Sequence, residues 1–454
     1  MTTLEEALSR ITELESIITK LELIIAKFEK ENARLVEENK NLKAILEERV
    51  SAPRVSFKRT INRNSDEKKR PGRPEGHEGA SRPMPEKIDE VKDVKLEQSF
   101  CPDCGHRAKG FGFRKRIIED IVPAKINVTE VHIHQYYCRH CNKIVEAPVT
   151  DAFSNCRLGL NTYLLITFLK KNGRLTCNRI TETLKTIYNL DISEGEITMM
   201  LERVALEFKD KYRDLIKELQ ASPYSYTDET GWNIDGKNCY LWGFISKGLT
   251  IYHIDKTRSQ KVAKRFLGED YRGVVISDFY SGYTSLPGPK QKCLVHLFRE
   301  LKETAEKKIE RTDFKKFRKE VEAIIHEAIN LAGEEEDTIE RTRMKYLFEE
   351  RIQKIIERKW EDKDACRLVK RLKTHKNALF TFLVYPNIKY HNNDAERGLR
   401  SNVVIRKISY GSKSEIGAQS HSIIMSVMET CNLRDQNFLE WSHDYLEEKL
   451  GKLA

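Results

Sequence analysis

The sequence lacks any apolar run long enough to cross a membrane. Its richest apolar stretch covers residues 163–169 of the 454, whereas a membrane-spanning helix needs about 20 residues. The first residues also lack the basic and then apolar regions that are typical of a secretory signal. We therefore expect a cytoplasmic protein, in which the ten cysteines are thiols or metal ligands rather than disulfides.

A large excess of one charge is also missing, because 80 Lys and Arg face 70 Asp and Glu. The net charge of +10 is a weak indication of a nucleic-acid partner. Its placement is more informative, since residues 51–85 hold nine basic and four acidic residues, half of the surplus. At about 150 residues per domain, the length predicts about three domains.

Residues 1–49 contain neither Pro nor Gly, and they carry a heptad repeat. Leu4, Ile11, Ile18 and Ile25 occupy a positions, and leucines fill most d positions up to Leu42. This pattern predicts a coiled coil that joins copies of the chain. The alternative is one amphipathic helix packed on its own chain. Asparagines at two a positions favour two parallel strands, but extra isoleucines at g leave a higher oligomer open; these are Asn32, Asn39, Ile17, Ile24 and Ile45.

Residues 50–96 are rich in Arg, Pro and Gly and predict a flexible linker. Its densest basic group consists of Lys68, Lys69, Arg70 and Arg73. Such a segment is either a solvated tether or an extended contact to DNA phosphates and a narrow minor groove.

Residues 97–149 contain two Cys-x-x-Cys pairs, Cys101 with Cys104 and Cys138 with Cys141. Four thiolates at this spacing can hold one structural Zn²⁺ tetrahedrally. The alternating segments 116–122 and 126–137 predict the strands of a zinc ribbon. Unrelated thiols or a redox pair are the alternatives.

Residues 155–222 predict helices over 158–171 and 176–188, and a third that begins with a capping box at Ser193 and Glu196. Two of them, joined by a short turn, match a helix-turn-helix that reads the major groove. Many helical hairpins have the same pattern and bind nothing.

After Pro223 the pattern predicts strands of a mixed sheet, with helices packed on it. Asp228 and Asp278 are each expected to end an apolar strand, where a buried carboxylate needs a cation or donors. If the two strand ends are neighbours, the pair can hold Mg²⁺. The same pattern makes Glu229, Asp235 and Asp255 turn or surface acids.

A third carboxylate, Glu396, follows a long helical stretch. Asn393 or Asp394 is expected to cap a helix with Glu396 in its first turn. Bases surround this acid, and they are Arg397, Arg400, Arg406 and Lys407. The bases either neutralise Glu396 or form a phosphate-binding face beside a metal ligand.

Four blocks in this order resemble the bacterial DDE transposases of the insertion-sequence-66 family. They are Thr227-Asp-Glu-Thr-Gly-Trp232, Ser277-Asp-Phe-Tyr-Ser-Gly-Tyr283, Lys292-Cys-Leu-Val-His-Leu-Phe-Arg-Glu300 and Asn392-Asn-Asp-Ala-Glu-Arg397. The resemblance covers nearly the whole chain, because the N-terminal zipper, the Arg-Pro-Gly stretch and the Cys pairs also match.

The resemblance implies a multidomain α/β protein with an RNase H-like catalytic core and the triad Asp228, Asp278 and Glu396. A helical insertion splits this core. The expected segments are a coiled coil at 1–49, a linker at 50–96, a zinc ribbon at 97–149, a helical region at 155–222, the core at 223–299 and 385–410, the insertion at 300–384 and a helical tail at 411–454.

The implied chemistry is phosphoryl transfer with two Mg²⁺ or Mn²⁺ ions. Cleavage frees the 3′ end of the element, and the same site joins it to target DNA. His296 and Arg299 are expected to position a phosphate, although a core role for His296 is equally open. Trp232 and Tyr283 stack on bases or belong to the core. The expected partners are the terminal inverted repeats, target DNA in the nucleoid, other copies of the chain, and accessory proteins of the same element.

Two other functions stay open from the sequence. A nuclease or resolvase with this core cuts DNA without joining it. A catalytically silent regulator binds DNA through the coiled coil, the ribbon and the linker alone.

Deletion of residues 1–49 is expected to lower the oligomer mass measured by light scattering, because the heptad seam joins the chains. An unchanged mass would contradict the coiled-coil interpretation and favour a helix packed on its own chain.

Overall fold

The computed structural model describes residues 124–306, 312–334, 337–385 and 387–452, with isolated positions at 85, 87–89, 91, 106, 117 and 118. The chain divides into two units, Met1–Lys115 and Arg116–Ala454, and nearly all described residues belong to the second. The predicted coiled coil, the basic linker and Cys101 and Cys104 lie outside the described residues. Within them, no helix is long and apolar enough to cross a membrane.

A five-stranded mixed sheet forms the centre of the second unit. Its strands are β3 (Tyr224–Ile234), β4 (Lys237–Ser246), β5 (Leu249–Asp255), β6 (Val274–Ser277) and β7 (Lys290–Lys292). They lie in the order β5-β4-β3-β6-β7. The first three strands pair antiparallel, whereas β6 and β7 run parallel to β3. The mixed α/β class expected from the sequence is therefore present.

The hairpin between β3 and β4 has a two-residue turn. Asp235 and Gly236 both have positive φ, 50° and 78°, as the favoured hairpin turns require. Contrary to the expectation from the sequence, Asp228 does not end its strand. It pairs with Gly243 of β4, and β3 continues to Ile234 because antiparallel pairing extends along the whole hairpin.

Four helices precede the sheet: α1 (Leu160–Lys171), α2 (Cys177–Tyr188), α3 (Glu194–Glu207) and α4 (Lys209–Gln220). The predicted capping box is confirmed, because the Ser193 side chain accepts from the Glu196 N–H and the Glu196 side chain accepts from the Ser193 N–H. Thr176 caps α2 through a bond from the Arg179 N–H. The three predicted helices are thus present to within about two residues at their ends, whereas groove binding stays a prediction.

A short two-stranded ribbon lies N-terminal to these helices. It pairs β1 (Gln135–Cys138) with β2 (Lys143–Glu146). The predicted strand over 126–137 is wrong in its first part, because residues 124–134 have no regular structure. Within the described part of the chain these residues have no pairing segment, and a strand without a partner leaves its hydrogen bonds unmade.

A helical segment follows β7, with α6 (Leu294–Glu306), α7 (Thr312–Glu334), α8 (Thr338–Glu357), α9 (Lys363–His375) and the short α10 (Thr381–Val384). Its aromatic core includes Phe314, Phe348 and Phe380, all fully buried. The same apolar cluster includes Ile276 of β6 and Leu294 of α6, so the segment packs directly onto the sheet.

Three helices complete the chain: α11 (Asn393–Ser409), α12 (Glu415–Leu433) and α13 (Phe438–Gly451). Between β5 and β6 lies α5 (Gln260–Leu267). The edge strand β5 is covered by α12, whose hydroxyls satisfy the strand's outward N–H groups. Thr430, Ser426 and Ser422 accept from Thr250, Tyr252 and Ile254 at 3.1, 2.8 and 3.1 Å. The exposed edge of a sheet is thereby closed by a helix.

Replacing Ser426 with Ala is expected to destabilise the fold by about 1–3 kcal/mol, because the buried N–H of Tyr252 loses its acceptor. Chemical denaturation of the full chain measures this change. Thr198→Ala is the matched control. The Thr198 hydroxyl donates to the carbonyl of Glu194, four residues earlier in its helix, but Thr198 is exposed. Equal losses for both variants would contradict a role for the strand contact.

Candidate active site

The sheet register brings Asp228 and Asp278 together. Strands β3 and β6 pair in parallel, with Tyr226 opposite Ile276. Each aspartate lies two residues beyond this pair, Asp228 within β3 and Asp278 directly after β6. The condition set for a shared Mg²⁺ site, that the two acids are neighbours, is therefore met, although only Asp278 follows the end of its strand.

The electrostatics of Asp228 show that a third acid is close. Burial, together with charge repulsion from Glu229, Asp278 and Glu396, raises the pKa of Asp228 to about 7. The opposing contribution is the main-chain N–H of Glu229, which donates to Asp228 Oδ1 at 2.9 Å. Asp278 is held separately, since its Oδ1 accepts from the Tyr280 N–H at 2.9 Å.

Glu396 lies in the first turn of α11, as predicted, but the predicted cap is wrong. The residue that precedes the helix is Asn392, and it makes no side-chain cap. Its amide instead donates to the Thr227 carbonyl at 2.8 Å, and its main-chain N–H donates to Cys293 Sγ at 3.2 Å. Asn392 therefore fixes the start of α11 against the residue before Asp228.

The three carboxylates fit a divalent cation. Asp228, Asp278 and Glu396 offer the hard oxygen ligands that Mg²⁺ and Mn²⁺ prefer. Glu396 Oε1 is buried and has no hydrogen-bond partner among the described residues. Its nearest base is His296, whose Nε2 lies 3.6 Å away. The Glu396 oxygen is buried without a donor, and burial favours the protonated form of the neighbouring Asp228. A bound cation would satisfy both groups.

Glu229 is not the surface acid expected from the sequence. Its side chain is 1% exposed and pairs with Arg258, and the Tyr283 hydroxyl donates to its other oxygen. Burial raises the pKa of Glu229, whereas Tyr283 and Arg258 lower it. Strand alternation could have placed Glu229 on the face opposite Asp228, but its partners are distant in the sequence.

Lys292 is a second residue that the sequence analysis left without a role. The side chain is fully buried, and its Nζ donates to the Asp278 carbonyl at 2.7 Å and to Ser277 Oγ at 3.1 Å. Burial lowers the pKa of Lys292 to about 8. Ser277 and Lys292 are paired across β6 and β7. Lys292 therefore supports, from the neighbouring strand, the backbone that carries Asp278.

The predicted DNA-binding residues divide into two groups. Arg299, Arg400 and Lys407 are exposed. Arg397 pairs with Asp394, and Arg406 donates to Thr230 Oγ1 at 3.2 Å and to the Gly231 carbonyl.

Two other expectations concern side chains near the site. Trp232 and Tyr283 are 3% and 0% exposed, so they belong to the core rather than to a stacking surface. His296 lies against Glu396, and its proposed phosphate contact stays a prediction. The four basic residues at 68–70 and 73 lie outside the described residues.

The second Cys pair lies on the two-stranded ribbon. Cys138 ends β1, and Cys141 lies in the turn before β2. Main-chain N–H groups of Cys141 and His140 lower the pKa of the Cys138 thiol. Amide groups directed at a sulfur favour a thiolate, the form that binds Zn²⁺.

Two models of one known protein family match this chain. A model described as Transposase IS66 family matches residues 158–420, more than half of the chain. A model described as the zinc-finger binding domain of transposase IS66 matches residues 98–142. A protein whose sheet carries clustered acids and is preceded by a Cys-pair ribbon is thus a transposase. The chain belongs to the IS66 family of transposases.

Two relatives from Sinorhizobium fredii (strain NBRC 101917 / NGR234) are similar over most of the chain. Uncharacterized protein y4jD is 24% identical over 388 residues, which is 78% of this chain and 75% of the relative. Uncharacterized protein y4hP is 22% identical over 449 residues, or 89% of this chain and 78% of the relative. Family membership implies action on DNA and use of a divalent metal, and the zinc-finger match indicates zinc.

Replacing Cys138 with Ser is expected to remove most bound zinc, because a structural site needs all four thiolates. Metal analysis of the purified chain measures one zinc per chain before the change and little after it. Cys101→Ser should have the same effect, whereas Cys366→Ser, outside both pairs, should have none. Retention of zinc in Cys101→Ser or Cys138→Ser would contradict the ligand assignment.

Proposed function

We propose that the protein binds the terminal inverted repeats of its insertion sequence and catalyses metal-dependent 3′-end cleavage and strand transfer into target DNA. The observation that carries this proposal is the grouping of Asp278 and Glu396 around the half-buried Asp228. These three acids come from β3, the end of β6 and the start of α11, positions up to 168 residues apart in the chain.

The sheet supports an RNase H-like core. Three antiparallel strands are followed along the chain by two parallel ones, in the order β5-β4-β3-β6-β7. In this sheet β3 carries Asp228, and Asp278 directly follows β6. The helical segment from α6 to α10 lies between these strands and Glu396, where the insertion was expected.

Asp228, Asp278 and Glu396 would hold two Mg²⁺ or Mn²⁺ ions. Such ions, when bound, activate a water or a 3′-hydroxyl and stabilise the leaving oxygen of an in-line displacement. The protein's own contribution is alignment. Asn392 ties Glu396 to the strand of Asp228, and Lys292 fixes the backbone at Asp278. Small errors in such alignment are costly to the rate.

The remaining segments supply the DNA and protein contacts of the proposal. The ribbon with its Cys₄ site and the helices α1–α4 would read the terminal repeats. The linker at 50–96 and exposed bases such as Arg299, Arg400 and Lys407 would hold the backbone. The N-terminal 49 residues would join the chains, so that two element ends are held in one complex.

Asp228→Asn, Asp278→Asn and Glu396→Gln are each expected to lower cleavage and strand transfer by about 10³-fold or more, because each removes a charged ligand of the metal. The assay combines labelled terminal-repeat DNA, a target plasmid and Mg²⁺ or Mn²⁺. Binding of the repeat is expected to remain.

Asp255→Asn is the matched control, since Asp255 ends β5 in the same sheet but pairs with Arg265 at 3.1 Å. Cut but unjoined products from the unmodified protein would favour a nuclease or resolvase. Unchanged activity in all three variants would favour a catalytically silent regulator and contradict the proposal.

A further inference from the structure

Arg258 is a basic residue beside the acids of the site that has no function in the account so far. It lies in the connection between β5 and α5, and its Nε donates to Glu229 Oε1 at 2.6 Å. The Glu229 side chain is 1% exposed, whereas that of Arg258 is 41% exposed. The carboxylate is therefore inside the protein, and part of the guanidinium faces solvent.

Tyr280 fixes the plane of this guanidinium. The guanidinium carbon lies 3.9 Å from the centre of the Tyr280 ring, and the Tyr280 hydroxyl donates to the Arg258 carbonyl at 2.5 Å. The main-chain N–H of Tyr280 donates to Asp278 Oδ1 at 2.9 Å. One residue thus connects Arg258 to a carboxylate of the site.

The remaining donors of Arg258 are available. Nε and Nη2 face Glu229, whereas Nη1 makes no hydrogen bond within the described ranges. A guanidinium presents five donors in a rigid plane and matches phosphate oxygens in pairs. Ring stacking and a buried counterion hold that plane before any ligand arrives, which lowers the entropy cost of binding.

Other cations near the site differ from Arg258. Lys292 is fully buried and directs its ammonium at backbone and hydroxyl oxygens. Arg406 is bonded to strand β3, and Arg397 is paired with Asp394. Among these four, Arg258 alone combines a fixed guanidinium, partial exposure and a link to Asp278 through one residue, Tyr280.

From this geometry we propose that Arg258 binds a phosphate of the DNA strand cleaved at the carboxylate site, with Glu229 and Tyr280 as its positioning residues. The inference rests on the proposed function, since it requires a DNA strand at these acids. A cation at this position offsets the repulsion between the phosphate and the neighbouring carboxylates.

A double-mutant cycle between protein and DNA tests the contact directly. Terminal-repeat duplexes carry one neutral methylphosphonate at successive positions around the cleavage site. Affinity is measured with Ca²⁺ in place of Mg²⁺, for the unmodified protein and for Arg258→Ala. At one position the neutral phosphate should lower the DNA affinity of the unmodified protein about 10-fold. It should hardly change the affinity of Arg258→Ala, because that variant has already lost the contact.

Cleavage is measured in single turnover on the unmodified duplex with Mg²⁺. Arg258→Ala should be slowed by about 10²-fold. Arg258→Lys keeps the charge facing Glu229 but lacks the planar fork. Its melting temperature should therefore match that of the unmodified protein, whereas most of the coupling to the phosphate should be lost. This variant keeps the test valid if Arg258→Ala unfolds.

Arg358→Ala is the matched control. Its guanidinium also pairs with a glutamate, Glu320, and is 43% exposed, and it lies 5.2 Å from the Trp360 ring centre. It belongs to the helical segment and should leave coupling and rate unchanged.

Additive losses at every phosphate, or the same coupling in Arg358→Ala, would overturn the assignment of Arg258. A protein that cleaves no DNA would overturn the proposed function instead. The affinity cycle still decides the role of Arg258 in that case, so the two failures are distinguishable.

Discussion

Repulsion among neighbouring carboxylates is the constraint on which the rest of this structure depends. Glu229, Asp278 and Glu396 all act on the half-buried Asp228 and disfavour its charge. Glu229 is stabilised by Arg258 and Tyr283 and Asp278 by a main-chain N–H, whereas Glu396 Oε1 has no hydrogen-bond donor among the described residues. Such a group forms only where the backbone around it is held firmly, because separation of the acids would relieve the repulsion.

That rigidity comes from anchors along α11. Asn392 bonds β3 at the helix start, and the Tyr252 hydroxyl donates to the Gly398 carbonyl at 2.5 Å. Further along, His421 Nε2 lies 2.8 Å from Asn402 Oδ1 of α11. His421 Nδ1 lies 3.1 Å from Nζ of the buried Lys171 of α1. Burial lowers the pKa of Lys171 to about 7. The helix that carries Glu396 is therefore tied to the sheet, to α12 and to the first helix of the N-terminal group.

Local patterns made much of this fold predictable. The capping box at Ser193, the strand alternation after Pro223 and the turn residues Asp235 and Gly236 act over a few residues, so their effect is visible in the sequence. The closeness of Asp228 to Asp278 was also accessible, because each acid directly follows an apolar segment of the sequence.

What was missed depends on contacts between distant segments. Glu229 is buried because Arg258, 29 residues later, reaches it. Asn392 precedes α11, and its amide donates to the carbonyl of Thr227, 165 residues earlier. Neither partner is encoded in the local pattern, so local reasoning predicted a surface acid and a cap at Asn393 or Asp394. The motif blocks located the site, whereas the contacts that hold it required the fold.

The distribution of cations follows from the same constraint. Lys292 lies behind Asp278 and supports its backbone, so its charge is committed to the protein. Arg299, Arg400 and Lys407 are exposed, where they can attract a DNA backbone before it reaches the acids. Arg258 lies between these two groups, held from inside by Glu229 and open on its outer side. Because the nearby cations are engaged by the protein, they leave most of the charge of the acids uncompensated. The proposed function therefore requires divalent metal ions for a DNA phosphate to approach these acids, and in the further proposal the fixed guanidinium of Arg258 guides that approach.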